Sequence, residues 1–137
     1  MRMIGIDFGE KRIGVAAADD RTRLAVPVTT IESQGDPVTE IEAIAVEQGA
    51  EALIIGLPLS LSGAEGPQAA RVREVVEALS ERLTIPVHTH DERLTTTQAA
   101  RLPGGLPRKS KSGATSRDAV AASIMLQAYM DSQRPYD

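Results

Sequence analysis

Four carboxylates in this chain fall at positions from which they could converge. Asp7 ends the first apolar run, Asp91 and Glu92 end a later one, and Asp118 lies in the first turn of the last helical stretch. Converging carboxylates repel one another unless a cation neutralises them, and their hard oxygen atoms suit Mg²⁺ or Mn²⁺. Two such ions about 4 Å apart can activate a water and stabilise the leaving oxygen of a phosphodiester. The pattern therefore indicates metal-dependent phosphodiester hydrolysis.

Each acid also has a purely structural interpretation, which the sequence leaves open. Asp7 at a strand end could simply form a turn. Asp118 in a first helical turn complements the helix dipole, and the Asp91-Glu92 pair could belong to a solvated loop. Only the joint placement of these acids makes a site credible.

Alternation along the fifth strand separates the two neighbouring acids. Asp91 falls on one face, whereas Glu92 falls on the other face with His88 and His90. One acid would point to the site and the other away, and the sequence does not decide which. The two histidines could form a metal pair, but we favour an ordinary polar strand surface.

The apolar patterns predict one α/β domain over residues 1–137, with the element order β-β-β-α-β-α-β-α. Residues 3–30 read as a three-stranded antiparallel meander, and Pro27 favours an edge position or a bulge in its third strand. Helices and strands then alternate, which implies a mixed five-stranded sheet flanked by helices. If the first and fifth strands are parallel, their acids lie on a common edge. A short helical stretch is expected around residues 96–101.

Composition excludes several classes of protein. The chain has no cysteine, so a disulfide framework, a thiolate nucleophile and Cys-ligated zinc are excluded. Its apolar runs are too short to span a membrane and it shows no signal-peptide pattern, so we expect a cytoplasmic protein. The net charge of −4 gives no global basic signal. Affinity for a polyanion would therefore require a local patch.

Basic residues form two clusters that could provide such a patch. Lys11 and Arg12 closely follow the first strand, and Lys109 and Lys111 lie in a Gly- and Pro-rich stretch near Arg117. A basic loop beside an acidic metal site could grip a phosphate backbone while the metals cut it. A merely solubilising loop is an equal alternative for the second cluster.

Four ordered segments resemble the motifs of the YqgF family, also called RuvX. They are residues 7–16 (DFGEKRIGVA), 56–59 (GLPL) with 63–67 (GAEGP), 91–96 (DERLTT), and 118–122 (DAVAA) with 126–129 (LQAY). The resemblance covers essentially the whole chain. It implies an RNase H-like fold related to Holliday junction resolvases, and a nuclease that matures the 5′ end of 16S ribosomal RNA, with branched DNA as the alternative substrate.

The resemblance also implies roles for individual residues. The predicted catalytic residues are Asp7, Asp91, Glu92 and Asp118. The predicted metal ligands are Asp7, Glu92 and Asp118, although the choice between Asp91 and Glu92 stays open. The predicted phosphate contacts are Lys11, Arg12 and Arg93, to which the basic stretch described above, and not the resemblance, adds Lys109 and Lys111. In the wider RNase H-like group an acid usually ends the fourth strand, whereas this chain has Gly56 followed by Leu57 and Pro58.

Two other functions compete with this reading. The segment Asp7-x-Gly9 also resembles the phosphate loop of actin- and hexokinase-like ATPases, which close two such domains around ATP. A single short domain would supply half of that cleft. Alternatively, the chain could be a non-catalytic nucleic-acid-binding or ribosome-assembly factor. Junction cleavage would require two sites and hence a symmetric homodimer.

Overall fold

The computed structural model describes residues 1–9, 11–58, 66–92 and 117–133. Eight elements are present in this part of the chain: β1 (Arg2–Phe8), β2 (Arg12–Asp19), β3 (Leu24–Glu32), α1 (Pro37–Glu47), β4 (Ala52–Leu57), α2 (Pro67–Arg82), β5 (Val87–Asp91) and α3 (Arg117–Ser132). The predicted order of elements is therefore confirmed. The helical stretch expected around residues 96–101 lies outside the described residues.

The five strands form one mixed sheet with the order β3-β2-β1-β4-β5. The first three strands pair antiparallel, as the predicted meander requires, whereas β1, β4 and β5 are mutually parallel. The carboxyl ends of these three strands therefore meet at one edge of the sheet. Strand β3 is an outer strand, and its register with β2 shifts between the pairs Val15–Thr29 and Ala16–Pro27. Both expectations for Pro27 are thus confirmed.

One face of the sheet carries the larger core. Large aliphatic side chains such as Ile4, Ile6 and Ile55 are fully buried there, together with the apolar stripes of α1 and α2. Helix α1 begins where the Asp36 carboxylate accepts a hydrogen bond from the Thr39 amide at 3.2 Å. Both α1 and α2 have proline in the first turn, where the missing N–H costs nothing.

The other face is covered by α3 and is lined by small residues. A Cβ placed on Gly5 would lie 2.9 Å from Leu126 Cβ, and one on Gly14 would lie 1.9 Å from the backbone oxygen of Asp118. Helix α3 therefore packs almost directly on the strand backbones, because Gly5 and Gly14 present no side chains to it. Among the described residues, no helix is both long and apolar enough to cross a membrane.

Candidate active site

Asp7 lies on the α3 face at the carboxyl end of β1. It pairs with Gly14 of β2, and its side chain is partly buried. Beyond it, the Gly9 amide donates to the Arg12 carbonyl at 2.9 Å and closes the turn into β2. The Gln68 side-chain amide of α2 donates to the Phe8 carbonyl at 3.2 Å. The backbone that follows Asp7 is thus fixed from two sides, and sequence reasoning did not identify Gln68 in this role.

Glu92 comes to Asp7 from the far side of β4. Its neighbour two residues earlier, His90, pairs with Gly56 on the α3 face, so strand alternation directs Glu92 to the same face. The Glu92 carboxyl lies over Gly56, with Oε1 2.5 Å from the position that a Cβ would take there. Side-chain hydrogen bonding joins Glu92 to Asp7. The structure therefore brings Glu92 and Asp7 together.

The electrostatics of this pair favour a retained proton. Burial raises the pKa of Glu92 to about 9, and the hydrogen bond and negative charge of Asp7 act in the same direction. At neutral pH the metal-free pair therefore holds a proton between two carboxyl groups. A cation that binds both groups would take over the role of that proton.

Asp91 lies on the opposite face from Glu92. It pairs with Leu57, whose side chain belongs to the core beneath α1 and α2. The register therefore does not bring the Asp91 carboxylate to the Asp7–Glu92 pair. Its negative charge still contributes to the raised pKa of Glu92. Of the two neighbouring acids, Glu92 is thus the one on the same face as Asp7.

Asp118 reaches the site from the first turn of α3. Its Oδ1 atom lies 3.4 Å from the position that a Cβ on Gly9 would occupy, which places the carboxylate at the β1–β2 turn. Its Oδ2 atom accepts a hydrogen bond from Arg12 Nε at 3.3 Å. The two side chains are 37% and 40% exposed, respectively. Asp118 is therefore at the predicted edge, where Arg12 neutralises it.

The donor chemistry fits a hard divalent ion, but the predicted three ligands are not gathered into one cluster. Within residues 1–9, 11–58, 66–92 and 117–133, no three His, Asp or Glu side chains lie close enough to hold a metal. Asp7 and Glu92 offer a ready pair of carboxylates with a proton to release. Asp118 would have to exchange its contact with Arg12 to join them.

The basic residues predicted to contact phosphate are placed only in part. Lys11 is exposed beside the site, and its backbone carbonyl accepts from the Ser33 amide at 3.1 Å. Arg12 starts β2 and is partly exposed. The three others lie outside the described residues: Arg93, Lys109 and Lys111.

The two histidines of β5 lie beside Tyr129 of α3. The ring centroids of His88 and His90 are 6.2 and 6.1 Å from that of Tyr129. His88 is exposed, as expected for a polar strand surface, but His90 is only 6% exposed. The surface interpretation is therefore wrong for His90, because α3 covers it. No local sequence signal distinguishes His90 from His88, because both lie on the same face of β5.

Sequence comparisons find similar proteins over almost the whole chain. The model of the RuvX family, described as "Holliday junction resolvase", matches residues 1–132. A protein of Chloroflexus aggregans named "Putative pre-16S rRNA nuclease" is 40% identical over 134 residues, which are 96% of this chain and 94% of that protein.

Solved structures show the same fold at low sequence identity. RuvC of T. thermophilus in complex with a Holliday junction substrate superposes with a TM-score of 0.59 and 17% identity, over 97% of this chain and 95% of that one. A ROK family protein from Streptococcus pneumoniae in complex with sucrose gives a TM-score of 0.52 and 19% identity, over 73% of this chain and 37% of that one. The predicted RNase H-like fold is confirmed.

Proposed function

Since this chain belongs to the RuvX family, we propose that it is a nuclease that hydrolyses phosphodiester bonds of structured nucleic acid with Mg²⁺ or Mn²⁺. The observation that carries the proposal is the contact between Asp7 and Glu92 at the carboxyl edge of the sheet. Two carboxyl groups that share a proton in a partly buried place form a poor structural contact and a good cation site.

Precursor 16S ribosomal RNA is the substrate that we favour. The Chloroflexus aggregans protein, which is named a pre-16S rRNA nuclease, is 40% identical to this chain over almost its whole length. The junction-bound RuvC is only 17% identical. A protein that processes ribosomal RNA would act in the cytoplasm. A four-way DNA junction is the second candidate, because the family model is described as a junction resolvase. That reaction would call for a homodimer with two active sites.

In this reaction the acidic residues would bind the metal and the basic residues would contact the substrate. Asp7 and Glu92 would hold the divalent ion after losing their shared proton, and Asp118 would add a third carboxylate from α3. When bound, such an ion supplies Lewis-acid activation of water and of the scissile phosphate. Arg12 and the exposed Lys11 present cationic groups at the same edge, where they would contact substrate phosphates and fix its register.

A cleavage assay with three substrates tests the proposal. A ribosomal RNA precursor, an unstructured single-stranded RNA and a four-way DNA junction are each incubated with Mg²⁺ or Mn²⁺. We expect metal-dependent cleavage of the precursor, which Asp7→Asn and Glu92→Gln abolish. Asp91→Asn is the matched control, since its side chain lies on the other face of β5. Preferred cleavage of the junction would favour the resolvase function instead.

The assay also identifies a non-catalytic factor. If the folded Asp7→Asn protein cleaved as the wild type does, Asp7 would have no catalytic role. Salt-dependent RNA binding that Asp7→Asn leaves unchanged, with no cleavage under either metal, would indicate a binding or assembly factor. Thermal stabilisation by ATP would indicate a nucleotide-binding module.

A further inference from the structure

We propose that Gly56 is a positioning residue for the metal site, and that its missing side chain forms the seat in which the Glu92 carboxyl lies against Asp7. The inference rests on the proposed metal-dependent function and names a residue that shapes the site without touching the metal. Gly56 belongs to β4, the strand between β1 and β5. The Glu92 carboxyl group, at the end of β5, must therefore cross Gly56 to reach Asp7 of β1.

The contacts at Gly56 are those of one side-chain terminus lying flat on a strand. A Cβ built on Gly56 would meet Oε1, Cδ and Cγ of Glu92 at 2.5, 3.0 and 3.0 Å. Contacts below 3.0 Å do not persist between carbon and oxygen atoms, so any other residue at this position must displace the carboxyl group. The space directly over Gly56 is therefore filled by Glu92.

The neighbour at Gly56 distinguishes it from the other glycines on this face. At Gly14 the obstructing atoms are the Asp118 backbone, and at Gly5 they belong to the buried Leu126. Those two glycines allow α3 to dock. At Gly56 the obstructing atoms end a flexible side chain, which can swing aside at little cost to the fold. An added methyl group there would move the Glu92 carboxyl and leave the sheet in place.

Manganese binding and thermal unfolding of Gly56→Ala test the inference. We expect Gly56→Ala to weaken Mn²⁺ binding, measured by electron paramagnetic resonance, by about 10- to 100-fold, as for other residues that orient a ligand. Its metal-free Tm should change by no more than about 4 °C. Gly5→Ala is the matched control, and it should lower the Tm while it keeps the wild-type affinity for Mn²⁺. Gly56→Ala should have no further effect on Mn²⁺ binding in the Glu92→Gln protein.

Two results would overturn the inference. The first is a Gly56→Ala protein with wild-type affinity for Mn²⁺. The second is that Gly56→Ala weakens Mn²⁺ binding as much in the Glu92→Gln protein as in the wild type. If the wild-type chain itself binds no Mn²⁺, the proposed function fails. A crystal structure of metal-free Gly56→Ala then tests separately whether Gly56 positions the Glu92 carboxyl. A Glu92 carboxyl displaced from Asp7 would support the role of Gly56, and an unmoved one would refute it.

Discussion

The carboxyl groups of Asp7 and Glu92 are joined by a hydrogen bond that spans from β1 to β5 above the intervening strand β4. Such a bond requires one of the two groups to keep its proton. Burial places that proton on the pair at neutral pH, because ionising both groups would leave adjacent negative charges with little solvent around them. The site therefore costs the metal-free protein stability, and a bound cation would remove that cost.

The stability of the metal-free protein should fall as the pH rises from about 5 to about 9. Glu92 has a folded-state pKa of about 9 against an ordinary value of 4.5. Between these values the folded state binds a proton that the unfolded state has lost, so rising pH favours unfolding. Urea unfolding at several pH values in the presence of EDTA measures the effect.

Two variants separate Glu92 from the other titrating groups. Glu92→Gln removes the titrating group, so its free energy of unfolding should depend less on pH over this range and exceed that of the wild type at pH 8. Asp91→Asn keeps Glu92 and should retain most of the slope. An unchanged slope in Glu92→Gln would mean that Glu92 does not hold the proton.

Gly14→Ala should disrupt the docking of α3. Its Cβ would lie 1.9 Å from the carbonyl oxygen and 2.5 Å from the carbonyl carbon of Asp118, so the first turn of the helix has to move. Overpacking of this kind typically costs about 1–3 kcal/mol, and each kcal/mol lowers the Tm of such a domain by about 4 °C. Calorimetry measures the loss, and Asp118 should be displaced from the site as well.

Gly66→Ala serves as the control for Gly14→Ala. Among the described residues, no atom lies within 4 Å of a Cβ at Gly66, which is the N-cap of α2, so this substitution should lower the Tm less than Gly14→Ala does. A Gly14→Ala protein as stable as Gly66→Ala would show that α3 does not pack as closely on β2 as the structure indicates.

The element order and the common edge of the acids could be predicted from sequence because both depend on local patterns. Apolar runs, proline at helix starts and a turn after each run fix the strands and helices one by one. Parallel pairing of β1, β4 and β5 then follows from the alternation of helix and strand. The alternation of side chains along β5 also indicates that only one of Asp91 and Glu92 faces the site, without showing which one.

The contacts over the sheet could not be predicted in the same way. The choice of Glu92 depends on which face α3 covers, and the burial of His90 depends on the same tertiary contact. Glycine in a strand signals close approach of another group, yet only the structure shows that Gly14 receives a helix backbone and Gly56 a carboxyl group. The pairing of Asp118 with Arg12 joins residues 106 positions apart and left no mark on local pattern.

Arg12→Ala should weaken nucleic-acid binding while it leaves stability nearly unchanged. Its ion pair with Asp118 is more than one-third exposed on both sides, and such pairs contribute under about 1 kcal/mol. As a phosphate contact, however, Arg12 would release a counterion, so the slope of log affinity against log salt should fall by about one. Fluorescence anisotropy with labelled RNA in EDTA measures the affinity and its salt slope.

Arg21→Ala is the matched control for Arg12. Arg21 also pairs with an aspartate, Asp19 at 3.2 Å, but it follows the other end of β2, away from the carboxyl edge of the sheet. We expect this variant to keep wild-type affinity and salt slope. Equal losses in the two variants would indicate a general charge effect and would remove Arg12 from the substrate site.

His90→Leu should protect the fold against mild acid. His90 is buried against Tyr129, its Nε2 atom has no hydrogen-bond partner among the described residues, and burial lowers its pKa below the usual 6.5. Below pH 6.5 the unfolded chain therefore binds a proton that folded His90 resists, which favours unfolding as the pH falls. Leucine removes both this proton linkage and the unpaired nitrogen.

Urea unfolding at pH 5.5 and 7.5 tests this prediction. Between pH 7.5 and 5.5, the loss in free energy of unfolding should be smaller in His90→Leu than in the wild type. His88→Leu is the control, because His88 is exposed, and this variant should show the same loss as the wild type. If His88→Leu reduced the loss and His90→Leu did not, His90 would not be the histidine that makes the fold sensitive to acid.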